Sequence, residues 1–223
     1  DAVGTSYLKS VNHVVDSLTL LFNFVFDNET WPERWATGIV FPLYKQDSRL
    51  DPANYRPITL LSVVGKLFGS IVECRLSTWS ETHKSLADEQ GGFRRNRGTA
   101  DLIFMLREIV MTRKLRGQCT LATFIDARKA YDTVWREGNF VRLHDMGIRG
   151  KLWRQLQAMA ANPKSKIRLP FGETEYFRVS RGVAQGAVES PFLYACFING
   201  PAEELKNRGM GIIIAGKRTP LLM

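Results

Sequence analysis

An α+β fold is predicted for this 223-residue chain by three observations. Helix-period and strand-type patterns interleave irregularly, unlike a regular βαβ array. The 44% hydrophobic share is enough for a real core and argues against global disorder. No internal repeat or low-complexity segment interrupts the chain. The length suits one large domain or two small ones sharing an interface.

The elements can be justified in order. Leu8, Val11, Val15, Leu18, Phe22 and Val25 recur at helical spacing, so 6–27 is an amphipathic helix ended by 28–32. WATGIVFPLY (35–44) is short, β-branched and aromatic, a strand stopped by Pro42. KQDSRLDPANYRP (45–57), with two prolines and many turn formers, reads as a polar loop. A second helix is predicted over 62–79. A third over 99–115 turns Leu102, Phe104, Leu106, Ile109 and Val110 towards a core and ends at Gly117. TLATFID (120–126) is a β-type run. Helices follow at 137–146 and 150–161, divided by Gly147 and Gly150. The segment 166–182 reads as two short strands around Phe171-Gly172-Glu173. Ser190-Pro191 starts another helix, serine as N-cap and proline in the first turn. A last hairpin, 211–222, turns at Gly216-Lys217.

Charge narrows the partners. Lys and Arg total 31 against 22 Asp and Glu, a net +9 that suits a polyanion, most often nucleic acid. Cys74, Cys119 and Cys196 are odd in number and far apart, which disfavours a disulfide framework or a zinc site. The longest apolar run, 14–26, contains Asp16 and Asn23 and falls short of the roughly 20 residues a membrane span needs. An intracellular setting is expected, nucleus and cytoplasm not being distinguishable, with no membrane partner. The chain opens on Asp1 without a signal peptide and reads as excised from something longer.

The chemistry centres on FIDARKAYD (124–132). A carboxylate leaving the end of a buried strand is well placed for a divalent cation that also binds substrate phosphates. Taken alone, Asp126 reads first as a strand-end residue capping the following turn, and Asp132 could equally be a helix N-cap.

The neighbouring segments add a resemblance. FID followed by Lys129-Ala130-Tyr131-Asp132 resembles the first palm motif of reverse transcriptases, especially those of non-LTR (LINE-like) retrotransposons, and RGVAQGAVESPFLYACFIN (181–199) resembles the next. WPERW (31–35) with Pro42-Leu43-Tyr44-Lys45, and NYRPITLLSVVGKLF (54–68), resemble the fingers motifs; EQGGFRRNRGTAD (89–101) resembles the block after them. Five blocks in the right order extend from Trp31 to the C-terminus.

The resemblance implies a right-hand polymerase architecture: fingers over 1–118, and over 119–223 a partial palm, part of whose 140–180 segment is able to pack on the fingers. It implies RNA-directed DNA polymerase activity, with an RNA template, a DNA primer and dNTPs as partners. Asp126 would be the catalytic carboxylate for two Mg²⁺ ions, or Mn²⁺ in their place, with the Ala127 backbone carbonyl as auxiliary ligand. Tyr131 matches the steric gate that blocks a ribose 2′-hydroxyl, though alone it could be an aromatic core plug. Lys45 and Arg56 match triphosphate-holding positions, a point charge and a bidentate fork, or else are solvated loop charges. Gln185-Gly186 matches the turn beneath nucleotide and template, or is a simple tight turn. Arg94, Arg95 and Arg97 beside Phe93 would contact nucleic-acid phosphates, or form a basic loop without that role.

Departures from the family pattern limit the expectation. Ala184 stands where arginine is usual, Glu189 where leucine is usual, and Ala127-Arg128 replace a more apolar or small-polar pair. Glu189 beside a template channel would repel phosphate. The aromatic-Ala-Asp-Asp motif that completes the family's carboxylate set occurs nowhere in the 223 residues, although PLLM (220–223) has the character of the strand leading into it. One carboxylate cannot hold two Mg²⁺ ions about 4 Å apart. The expectation is therefore a truncated polymerase domain, inactive by itself. The alternatives are a non-catalytic nucleic-acid-binding remnant, a maturase-like RNA-binding domain, or a basic domain with a protein partner. Template and target specificity and oligomeric state stay open.

Overall fold

The computed structural model describes residues 12–214 and 217–219. Leu8, Val11, the Gly216 turn position and PLLM lie outside the described residues. Two compact units are present: residues 1–74 with 131–190, and residues 75–130 with 191–223.

The first unit is built on a mixed sheet beside an aromatic cluster. Helix α1 (Asn12–Asp27) buries Phe22 and Val25, while Val15, Leu20 and Phe24 stay exposed. Phe22 meets Trp35 and Phe68 edge-on at 6.1 and 5.4 Å, and Trp31 meets Trp35 at 5.1 Å. Trp35 lies in the short α2 (Glu33–Ala36) and Phe68 in α3 (Val63–His83). Gly65 admits this cluster, since a Cβ there would lie 3.1 Å from Trp35 Cβ.

Strand β1 (Thr37–Tyr44) runs antiparallel to β2 (Tyr55–Leu60), from Ile39 opposite Leu60 to Tyr44 opposite Tyr55. Two expectations are corrected here. Pro42 does not stop β1, and the polar loop over 45–57 gives way to β2 from Tyr55. Pro42 sits opposite Pro57, and with no N–H on either residue that rung exchanges no hydrogen bond. The other edge of β1 pairs, in parallel, with β3 (Lys164–Leu169) only over Thr37–Val40, so Pro42 interrupts no second ladder. Short β4 (Gly172–Glu173) and β5 (Phe177–Arg178) add to β3, giving the paired strands predicted after 166.

Four helices complete the pattern over 130–207. These are α5 (Ala130–Thr133), α6 (Arg136–Asp145), α7 (Gly150–Ala160) and α8 (Ser190–Asn207). Helix α6 buries Leu143 and α7 buries Leu156. The C-terminal end of α1 is tied to α7 by Lys151–Asp27 and Arg154–Glu29 pairs, each 2.6 Å, and by Gln155 donating to the Thr30 carbonyl. The two ion pairs are exposed and add modestly to the apolar packing, whereas the Gln155 amide is buried.

In the second unit, α4 (Thr99–Leu115) has the predicted span, and the Asp101 carboxylate reaches back to the Gly98 N–H at 2.8 Å. Only Ile109 is buried, with Leu102 and Leu106 half-buried. These three share one helical face, whereas Phe104 and Val110 fall off it and are exposed, correcting the broader core assignment. From α8, the Asn199 Oδ1 accepts from the Ala87 N–H at 2.8 Å, and Lys206 pairs with buried Glu89 at 2.5 Å. Strands β6 (Ile212–Ile214) and β7 (Lys217–Thr219) pair antiparallel, so Lys217, predicted in a turn, lies in a strand opposite Ile214.

The predicted strand 120–126 is not formed. Those residues carry no regular structure, and Leu121, Phe124 and Ile125 are more than 80% exposed. An apolar β-type run becomes a strand only where another edge supplies its hydrogen bonds, and no described strand pairs with this one. Among the described residues, no helix is long and apolar enough to cross a membrane.

Candidate functional site

In the first unit, the predicted residues collect around the β1–β2 hairpin and a strap over 179–186. Arg56 faces Leu43 across the hairpin, and Lys45 follows the last rung, its N–H donating to the Asn54 carbonyl at 2.9 Å. Both are exposed and neither makes an ion pair among the described residues. Two cations two rungs apart, at one end of a rigid hairpin, suit an anionic ligand better than either would alone.

The strap is fixed at both ends. Its Gly182 N–H donates to the Val134 carbonyl at 2.9 Å and its Val183 N–H to the Tyr131 carbonyl at 2.8 Å. At the other end, the Gln185 carbonyl accepts from the Thr59 N–H of β2 at 2.9 Å. Glycine is required twice. Gly182 has φ +82°, and a Cβ would lie 2.7 Å from the Tyr131 carbonyl; Gly186 has φ +149°, and a Cβ would lie 2.2 Å from the Thr59 carbonyl. Tyr131, half-buried in α5, and the Gln185-Gly186 turn are thus joined by main chain.

Arg136 holds the N-terminal half of this strap. Its Nε donates to the Gly182 carbonyl at 2.6 Å, Nη1 to Val179 at 2.9 Å and Nη2 to Arg181 at 3.1 Å. Burial draws its pKa below the ordinary arginine value, the Glu137 charge opposing, yet a guanidinium stays protonated in any physiological buffer. Sequence reasoning missed Arg136 and Thr59. Neither residue type nor spacing marked them, because their partners lie over forty and over a hundred positions away.

Glu189 is corrected. The sequence suggested a charge repelling phosphate, but its carboxyl lies against α3, where a Cβ on Gly69 would be 2.8 Å from Oε2. Burial pushes its pKa up, opposed by the N–H groups of Glu189 itself and Val188.

In the second unit, Asp126 is exposed within the irregular 118–127 segment. Its charge, after burial, is the second cause raising the Tyr194 phenol above its usual value, so the carboxylate lies within electrostatic reach of that ring. Among the described residues, no group of three or more His, Cys, Asp or Glu could hold a metal ion. Asp126 and the Ala127 carbonyl therefore do not make a two-ion site from these residues alone.

The arginine cluster divides. Arg94 forms a bidentate pair with Glu81, at 2.8 and 2.7 Å, and donates to the Ala87 and Gln90 carbonyls; its side chain is only 4% exposed. It clamps its own loop to α3 and turns away from solvent. Arg97 donates to the Asp88 carbonyl at 2.5 Å, and Arg95 is exposed. Beside them, Phe93 meets Tyr194 edge-on at 6.1 Å.

The fold is mixed α+β, and the hairpin cations Lys45 and Arg56, the glycine-dependent strap and the exposed Asp126 all lie within one segment that a family model matches. The chain belongs to the reverse transcriptase (RNA-dependent DNA polymerase) family, whose model matches residues 43–215. It is 25% identical over 199 residues to a probable RNA-directed DNA polymerase from transposon X-element of Drosophila melanogaster, covering 88% of this chain and 22% of that protein. It is 28% identical over 194 residues to the Pol polyprotein of type-1 retrotransposable element R2 from Popillia japonica, covering 86% and 27%. With the mobile element jockey of Drosophila melanogaster it shares 24% over 181 residues, covering 81% and 20%. These relatives are non-LTR retrotransposon proteins, and the chain spans about a quarter of their length or less.

Proposed function

We propose that this chain is the fingers and part of the palm of a non-LTR retrotransposon RNA-directed DNA polymerase, acting on an RNA template, a DNA primer and dNTPs. The observation that carries the reading is the strap, which joins Tyr131 by main chain to the Gln185-Gly186 turn and that turn to β2, inside the family match. The pairing of β3 with β1 supports assigning part of 140–180 to the fingers.

In this reading Lys45 and Arg56 neutralise the incoming triphosphate, lysine as a point charge and arginine as a fork. The Tyr131 ring occupies the space of a 2′-hydroxyl and so favours deoxynucleotides. Gly186, lacking a Cβ, lets backbone lie close beneath the sugar or template, and the Gln185 amide offers both donor and acceptor. Arg95 and Arg97 contact template or primer phosphates, with Arg94 holding their loop in shape. The family's divalent metals, Mg²⁺ or Mn²⁺, would take Asp126 and the Ala127 carbonyl as part of a larger ligand set.

Primer extension on an RNA template tests this. Residues 1–223 alone are expected to bind RNA without extending the primer, because they offer one palm carboxylate. A longer polypeptide that continues into an Asp-Asp pair is expected to extend it, and Asp126→Ala to abolish extension. A folded longer polypeptide that binds RNA but never extends would replace this reading with a nucleic-acid-binding role.

A further inference from the structure

We propose that Arg136 is a positioning residue for nucleotide selection: by holding the 179–186 strap it sets the spacing between the Tyr131 ring and the Gln185-Gly186 turn, and with it discrimination between deoxy- and ribonucleotides. The inference rests on the polymerase reading for its consequence, though the strap itself is independent of that reading.

The geometry carries the argument. Arg136 spends three donors on three carbonyls of one irregular segment, Val179, Arg181 and Gly182, none of which lies in a strand. A backbone carbonyl outside regular structure takes its donor from another loop group, a side chain or water, and here one side chain serves three of them, the Val179 and Gly182 bonds being partly buried. The guanidinium is planar with a fixed fork of donors, so three carbonyls held by it are held in a defined relative orientation. Lysine has one nitrogen and could not span them.

The base of the clamp is rigid too. Arg136 is the first residue of α6, and the preceding Trp135 ring lies across Gly138 so closely that a Cβ there would be 2.2 Å away. Immediately beyond the carbonyls that Arg136 holds, the Gly182 and Val183 N–H groups bond to Val134 and Tyr131. Arg136 therefore acts where the strap meets the backbone of the proposed sugar gate. Without it, the strap keeps its Thr59 anchor at Gln185 but loses orientation at the Tyr131 end. The expected fault is a loosened gate, with the fold retained.

Hydrogen exchange of residues 1–223, read by mass spectrometry, tests the clamp. In Arg136→Met the Gly182 and Val183 amides are expected to exchange about tenfold faster or more, as loss of charge-assisted bonds allows, with α7 unchanged. Arg136→Lys should fall between Met and wild type, and it carries the test if the Met variant does not fold. In the longer polypeptide, the ratio of kcat/KM for dNTP over rNTP should drop about tenfold in Arg136→Met, chiefly through a lower KM for rNTP, with partial recovery in Arg136→Lys. Unchanged exchange at 182–183 overturns the clamp. Faster exchange with an unchanged sugar ratio overturns the selection role. If the wild-type longer polypeptide makes no DNA, the polymerase reading falls and takes the selection role with it, while the exchange result still decides the clamp.

Discussion

Replacing Gly186 by alanine should damage the strap more than its backbone angle alone explains. The new methyl carbon would lie 2.2 Å from the Thr59 carbonyl oxygen, more than an ångström inside ordinary contact, and the obstacle is backbone that cannot rotate away. Gly172 supplies the reference, because it has nearly the same φ, +146° against +149°, with nothing within 4 Å of a Cβ. Gly172→Ala therefore measures backbone strain alone, of order 1–3 kcal/mol. Gly186→Ala adds a forced separation of strap from β2, which breaks the 2.9 Å bond from the Thr59 N–H to the Gln185 carbonyl. Losing that bond costs about 1 kcal/mol, and residual overlap about as much again, so a total of roughly 3–5 kcal/mol is expected. Urea unfolding of both variants beside wild type, followed by circular dichroism at constant m, gives the two numbers. If Gly186→Ala cost no more than Gly172→Ala, the close approach of strap to β2 would be refuted.

Other consequences can be measured in the same preparations. Arg94→Ala should lower stability by about 2–3 kcal/mol through loss of its charge-assisted bonds, with little change in the salt dependence of RNA binding. Arg95→Ala should reduce the slope of log K against log salt by about 0.7, the value for one single-strand phosphate contact. Filter binding across a salt series separates these two. For Glu189, a folded pKa above the ordinary 4.5 means that its contribution to stability is complete below the unfolded value and is lost as pH rises through the folded one. Glu189→Gln should therefore gain about 1–2 kcal/mol over wild type at pH 7.5 and little at pH 4, read from urea midpoints at the two pH values. Tyr131→Ala in the longer polypeptide should admit ribonucleotides at least about tenfold better than wild type, measured by single-nucleotide incorporation.

Local patterns made much of the fold legible. The third helix over 99–115 and the helix starts near 137, 150 and 190 follow from apolar period, capping residues and glycine breaks, which act within a turn or two of the chain. Strand β2 escaped notice because Pro57 and the turn formers before it read as loop, and only its partner β1 reveals that a proline–proline rung costs no hydrogen bond. The run 120–126 misled in the opposite sense, having strand composition without a described partner edge.

For the site, residue types in order were enough to point to the family and to nominate Asp126, Tyr131 and the Gln185-Gly186 turn. Which charges are available to a ligand could not be read that way. Arg94, Arg95 and Arg97 look alike in sequence, yet only tertiary placement buries the Arg94 guanidinium on Glu81 while Arg95 is an exposed residue. Glu189 likewise changed from a surface charge to an enclosed carboxyl because Gly69 leaves room for it. Sequence by itself determined most of the helices and the chemical inventory, because those follow from short-range periodicity and residue type. The strap, its Arg136 clamp and the sorting of charges were decided by contacts between residues far apart in the chain, which no local pattern encodes.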